Sequence, residues 1–325
     1  MRRREFITLI GGTALAWPLG VHAQRAVILH RIGILSPEPP TPEFLEAFRQ
    51  GLRELGYVEG QDIAFEVRSA DGDNQRLAAL ANQLVEVKVD VIVAINTSAV
   101  QAAKKASATI PIVMTRIVDP VRSGLVRSLS RPGGNITGLN GMAAELSGKR
   151  LELLKEVFPN ISRVAVLWYE LNPGADIAAG ALKAASREAG FELLLLPVHG
   201  QGELIGAFET AIRGQVQALI VIDDTFAIQH RVEILNLAAA RSLAVVSQYK
   251  IFAEAGALFA CGPNPSAMDR RAAYYVDRIL KGANAGDLPV EQPTKFDLVI
   301  NLKTAKALGL TISREMQMRA DELIE

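Results

Sequence analysis

The sequence predicts an α/β protein of two lobes, each a parallel sheet with helices on both faces. Three observations predict it. From Arg31 onward, short runs that are apolar throughout alternate with amphipathic runs of helical length, as parallel strands buried on both faces require. From Arg163 the same alternation restarts at about the same spacing. Between the halves lies Thr115 to Asn140, punctuated by Asp119-Pro120, by Arg131-Pro132-Gly133-Gly134 and by Gly138, and expected to be the first crossing between the lobes.

In the first half, Arg31 to Ser36 reads as a buried strand ending in the polar loop SPEPPTPE. Thr41-Pro42-Glu43 supplies an N-cap, a first-turn proline and a first-turn acid. Phe44, Phe48, Leu52 and Leu55 then mark one helical face, stopped by Gly56. Ile63 to Val67 is the next strand, and Leu77, Leu80, Ala81 and Leu84 mark the next helix. Val89 to Ile95 is a third strand, after which Asn96-Thr97-Ser98 caps a helix; Ile110 to Met114 is a fourth strand.

In the second half, Ser147 opens a helix before the strand Arg163 to Trp168. Asn172-Pro173-Gly174 turns into a long helix that ends at Gly190. Strands follow at Phe191 to Leu196, Ala218 to Ile222 and Leu243 to Val246, with helices at Glu203 to Ile212 and His230 to Ala240 between them. Further strands begin at Gly256 and Phe296, separated by a helix that Asn264-Pro265 caps. These are too many for the second lobe alone. The chain is therefore expected to return to the first lobe near Tyr249 to Gly256 and to leave it again near Pro289 to Lys295. The expected division is 24–118 with 250–290 for the first lobe, and 119–249 with 291–325 for the second.

Composition narrows the classes. The 325 residues are 49% hydrophobic and 22% charged, with net charge zero, which describes a globular chain long enough for two cores. No basic run marks a nucleic-acid partner. Cys261 is the single cysteine, so an internal disulfide is impossible, and its apolar neighbours read as core. Residues 1–23 carry three arginines, an apolar stretch broken by Gly11, Gly12 and Pro18, and Val21-His22-Ala23 at a cleavage position. That is an export signal, too short and interrupted to span a bilayer. Arg3-Arg4-Glu5-Phe6-Ile7 resembles the twin-arginine pattern. Cleavage leaves a soluble periplasmic protein with a net charge of about −2.

Ligands of open parallel sheets bind beyond the carboxyl ends of the strands. Polar residues collect there: Ser36, Asn96, Thr97, Ser98, Arg116, Asp119, Tyr169, Asn172, Asp223 and Tyr249. Several begin helices, whose free N–H groups suit a carboxylate. Asn96-Thr97-Ser98 is the best such anion site. Asp223 or Asp119 is placed to meet an ammonium, and Tyr249 to form a wall beside the hinge. Enzyme signatures are missing: no GxSxG elbow, no GxxxxGK[ST] loop, no HExxH pair, and four scattered histidines with one cysteine make no metal cluster. No catalytic residue, cofactor or metal is expected.

Several stretches, including DPVRSGLVRSLSRPGGNITGLN, GALFACGPN and VDRILKGANAGDLPVEQPTKFDLVINLKTAKALGL, resemble the ABC-transporter substrate-binding proteins of the tryptophan/tyrosine-uptake type. The likeness runs over essentially the whole mature chain. It implies a type I periplasmic-binding fold, with two Rossmann-like lobes, a three-segment hinge and ligand in the cleft. It also implies a monomer that delivers a small solute, an amino acid or aromatic carboxylate, to ABC permease subunits in the inner membrane. Two departures bear on specificity: Ala260-Cys261 stands where relatives have Ser-Tyr, and Met114 to Val118 replaces a glycine-rich approach to Asp119-Pro120-Val121. Two other readings of the same architecture are a periplasmic sensor domain for a membrane signalling partner and a periplasmic hydrolase. The hydrolase would need a nucleophile–base pair that the sequence does not offer.

Overall fold

The computed structural model describes residues 29–325, and the export signal expected at residues 1–23 lies outside them. A five-stranded parallel sheet has the order β2-β1-β3-β4-β5. Its strands are β1 (His30–Ser36), β2 (Ile63–Ser69), β3 (Val91–Ile95), β4 (Ile112–Ile117) and β5 (Ile136–Asn140). Helices α1 (Pro42–Glu54), α2 (Leu77–Glu86) and α3 (Thr97–Ala106) connect the first four strands. Val91 to Ile95 is buried at every residue, so both faces of that strand are covered.

The second sheet has seven strands in the order β12-β11-β10-β9-β8-β6-β7. The chain enters it through α4 (Ser147–Val157), β6 (Arg163–Tyr169), α5 (Pro173–Ala189), β7 (Glu192–Val198) and α6 (Leu204–Arg213). It continues through β8 (Ala218–Val221), α7 (Thr225–Gln229), α8 (Arg231–Ala239), β9 (Ala244–Ser247), α9 (Lys250–Glu254) and β10 (Phe259–Pro263). Helix α10 (Pro265–Leu280) returns to the first lobe, where Met268, Ala272, Tyr275 and Val276 join Phe44, Phe48 and Val93 in one core. The chain then crosses back to β11 (Phe296–Asn301), α11 (Leu302–Ala307), α12 (Arg314–Arg319) and β12 (Glu322–Ile324). β11 runs antiparallel to β10 and parallel to β12.

Two expectations about where the chain crosses are corrected. The stretch Thr115–Asn140 is largely first lobe, because Ile136 to Asn140 pairs with β4 and is buried throughout. Gly138 permits that pairing: its φ is 132°, and a Cβ there would overlap the backbone of Met114. The first crossing therefore follows Asn140. The second follows Pro263 and not Tyr249, because Phe259 pairs with Val246 and Ile300 inside the second sheet. The third passes through Glu291 to Lys295. It lies against the first, with Asn140 N–H donating to Glu291 O at 2.9 Å and Glu291 N–H to Gly138 O at 3.0 Å. Close to the C-terminus, Glu322 to Ile324 adds an edge strand. No helix among the described residues is long and apolar enough to cross a membrane.

Candidate functional site

Hydrogen bonds join the segments after β2 and β3 of the first lobe to those after β6 and β8 of the second. Asn96 caps α3 by accepting from Ser98 N–H at 2.8 Å, and its Nδ2 donates across the cleft to Thr225 Oγ1 at 3.3 Å. Its φ of 81° is strained for a residue with a side chain, and such strain collects at functional sites. Ser98 Oγ and Asn74 Nδ2 both donate to the carbonyl of Leu171 in the second lobe, at 3.3 and 2.9 Å. Tyr169 OH reaches Gly72 O at 3.4 Å, and its ring stacks on Phe226 with centroids 4.6 Å apart. The lobes are therefore closed on one another.

The ten residues expected at the site divide. Ser36, Asn96, Thr97, Ser98, Tyr169 and Asn172 come together at this seam. The hydroxyls of Ser36 and Thr97 are buried without a partner, which marks a place where a ligand group would be welcome. Asn172 caps α5 by accepting from Gly174 N–H at 3.1 Å and donates to Asp224 Oδ2 at 3.2 Å. Arg116 and Tyr249 lie towards the hinge. The Arg116 guanidinium pairs with fully buried Asp269 on α10 and lies 5.8 Å above the Phe44 ring. Burial pushes the Tyr249 hydroxyl up to about 12.

The two acids expected to meet an ammonium are otherwise engaged. Asp223 accepts from Ser247 Oγ, from Gln248 N–H and from Tyr249 N–H, so it fixes the loop after β9. Burial raises its carboxyl to about 6 against those bonds and the nearby Arg150. Asp119 accepts from Arg122 N–H at 2.9 Å and shapes a first-lobe turn. It lines neither cavity described below.

Glu38 is the residue that the sequence reading missed. It sits in the loop after β1, only 9% exposed, and its carboxyl is raised to about 6 by burial and by Asp71. Asp224, across the cleft, caps α7 through Ala227 N–H and is raised to about 7, chiefly by burial. A proline-rich loop gives no periodicity from which burial could be read. The one available signal was an acid two residues past a strand's carboxyl end.

Two cavities adjoin the seam. One, of about 20 Å³, is lined by Ser36, Glu38, Phe44, Ile95 and Thr225 among others. The other, of about 570 Å³, is lined by Glu43, Arg231, Tyr249, Ile251 and Ser266 among others. Thr41, Arg116 and Ile228 border both. The larger is within the range of small-molecule sites. Cys261 packs in the second-lobe core and borders neither cavity. Among the described residues no His, Cys, Asp and Glu cluster is placed to hold a metal.

Two sheet-and-helix lobes, three crossings and a polar seam define a hinged solute-binding protein of the type I periplasmic-binding fold. Residues 38–324 match the family model described as ABC transporter substrate binding protein, and the chain belongs to that family. The tyrosine-binding protein of Clostridioides difficile is 28% identical over 281 residues, covering 86% of this chain and 81% of that protein. A conserved domain protein of Vibrio cholerae O1 biovar El Tor superposes with a TM-score of 0.85 at 28% identity, over 90% of this chain and 99% of that one. An ABC domain from Streptococcus pneumoniae in complex with L-Trp gives 0.84 at 25% identity, over 91% and 100%. The ligand-free, open structure of a Clostridium difficile substrate-binding protein gives 0.64 at 25% identity, over 91% and 99%. The lower score against the open structure agrees with the closed lobes seen here. The chain is a solute-capturing component of an ABC importer.

Proposed function

We propose that this protein works in the periplasm as a monomer, closing its lobes on an amino acid or aromatic carboxylate and presenting it to ABC permease subunits. The carrying observation is the set of cross-cleft bonds from Asn96, Ser98 and Asn74 to Thr225 and Leu171. They form only when the lobes close. A solute that brings the strand ends together selects the closed form, and the hinge converts that selection into a shape the permease reads. Solutes that fit poorly leave polar groups such as Thr97 and Ser36 buried and unpaired, which is the basis of discrimination. Tyrosine and tryptophan, bound by relatives, are the first solutes to test. Affinity of about micromolar, near −8 kcal/mol, would capture the solute and still release it.

Calorimetry of the leader-free protein against amino acids and aromatic carboxylates is expected to find a saturable solute. Mass spectrometry of small molecules that copurify identifies it independently. Affinity unchanged when Asn96, Thr97 and Tyr169 are all replaced by alanine would move the site elsewhere.

A further inference from the structure

We propose that a cavity at the hinge is a second binding site, for a neutral and mainly apolar small molecule whose binding favours the closed form. The effect on closure rests on the hinged solute capture described above; the site itself does not.

The cavity has a volume of about 510 Å³, within the range of small-molecule sites. All three crossings border it: Leu139 just before the first, Asn264 in the second and Gln292 to Lys295 in the third. It shares only Asn264 with the larger cavity of the cleft. Adjacent residues of α10 separate the two, since Ser266 borders the cleft cavity and Ala267 the hinge cavity.

The charged walls are already paired. Arg271 donates twice to the Glu291 carboxylate, at 2.8 and 2.7 Å, and its guanidinium lies 3.8 Å from the centre of the Tyr274 ring. Asp297 accepts from Asn264 Nδ2 at 3.2 Å and has Lys295 Nζ at 3.6 Å. A charged ligand would break one of these pairs or lie among them without a countercharge, and either costs more than placing a neutral one. Leu139 and Met268, each 3% exposed, form an apolar floor, and Pro293 continues it on the third crossing. Gln292 and Thr294 add neutral groups that can donate and accept. A neutral aromatic body with a single hydroxyl or amide suits these walls.

The walls belong to both lobes. Glu291 is tied to the first lobe by Asn140 N–H, which donates to its carbonyl, and by its own N–H on Gly138 O. Asp297 lies on β11 in the second sheet, and Asn264 links it to the start of α10. Rotation of the lobes about the crossings therefore moves Asp297 relative to Glu291 and Met268. The cavity has this shape in the closed form, so a molecule matched to it binds that form better and shifts the population towards it. By linkage such a molecule raises solute affinity, and solute raises the affinity for the molecule by the same factor.

The test is calorimetry of the leader-free protein with 2-naphthol as the probe. 2-Naphthol is expected to bind saturably, and Ala267→Trp, which fills the cavity from α10, to weaken it by about tenfold or more. Thr294→Trp fills the cavity from the third crossing and should do the same, so that one variant with disturbed circular dichroism does not decide the result. Ser266→Trp, on the cleft side, should leave 2-naphthol bound. The charged analogue 2-naphthoate should show no binding that Ala267→Trp removes. Small-angle scattering should show compaction with 2-naphthol alone. Any amino acid or aromatic carboxylate that binds should bind about fivefold or more tightly when 2-naphthol is saturating. No saturable binding, binding undiminished by both cavity-filling variants, or loss in Ser266→Trp alone overturns the site. A 2-naphthoate equally sensitive to Ala267→Trp overturns the neutral class. Binding at the hinge with unchanged scattering overturns the effect on closure. Failure of every amino acid and aromatic carboxylate to bind counts against solute capture alone, and the 2-naphthol and scattering results still decide this site.

Discussion

Thr97 and Gly174 meet across the cleft so closely that a Cβ on Gly174 would overlap the Thr97 hydroxyl. Thr97 begins α3 in one lobe, and Gly174 lies in the first turn of α5 in the other. The contact exists only in the closed form. Gly174→Ala is therefore expected to weaken solute binding by about 1–3 kcal/mol, the scale of an overpacked contact. In the open protein the same change should be neutral or slightly stabilising, because alanine suits a helix better than glycine. Opposite signs for affinity and for the unliganded melting temperature are the expected result. Small-angle scattering with saturating solute should show less compaction than in wild type.

Arg116 and Asp269 give a second prediction. Asp269 is fully buried on α10 and accepts from Arg116 and from Thr115 Oγ1, so it ties the returning helix to the end of β4. Asp269→Ala leaves a largely buried guanidinium without its countercharge. Losses of about 3–5 kcal/mol follow when one member of a buried pair is removed. Denaturant unfolding followed by tryptophan fluorescence measures it, and a loss below about 1 kcal/mol would place the pair among surface-type bridges. Asp269→Asn, which keeps the shape, should recover part of the loss.

The strand ends of this site were legible in the sequence because parallel strands are apolar and stop at polar residues. Ser36, Asn96, Thr97, Ser98, Tyr169 and Asn172 all follow that rule and meet at the seam. Which acids stay free for a ligand was not legible. Asp223 and Asp224 are adjacent in sequence, yet one is used by the loop after β9 and the other caps α7. That difference depends on Ser247 and Gln248, brought up by a separate strand. The crossings were misplaced for a similar reason. ITGLN is short and half polar, and only its register beside β4 shows it to be a strand.

That register makes Gly138 a sharp test of the fold. Its φ of 132° lies where side chains are strained, and its neighbour is the backbone of Met114, which cannot swing aside. Gly138→Ala is expected to cost about 3 kcal/mol or more through strain and overlap together. A soluble variant with a melting temperature near wild type would mean that β5 does not pair with β4 as described. Gly148→Ala, in α4 with open space around it, is the control expected to be neutral or stabilising.

The acids of the cleft set a pH dependence whose sign is fixed. Glu38, Asp223 and Asp224 are raised to about 6, 6 and 7, with burial the largest cause in each. A carboxyl raised in the folded state binds more protons there than in the unfolded chain, between its ordinary value and its raised one. Stability from these groups is therefore greatest at low pH and falls as pH rises towards about 7. Other groups act differently. Asp71 and Glu291, held below the ordinary range by hydrogen bonds from Ser69 and Arg271 first of all, are ionised throughout the upper part of that window. His230, lowered by burial, works in the opposite sense as it loses its proton. The difference between wild type and Glu38→Gln isolates the cleft. The variant should melt at a temperature close to wild type near pH 5 and above it near pH 8, because the glutamine is never charged. Scanning calorimetry of both proteins at the two pH values measures that difference. Equal shifts with pH in the two proteins would show that burial does not raise the Glu38 carboxyl.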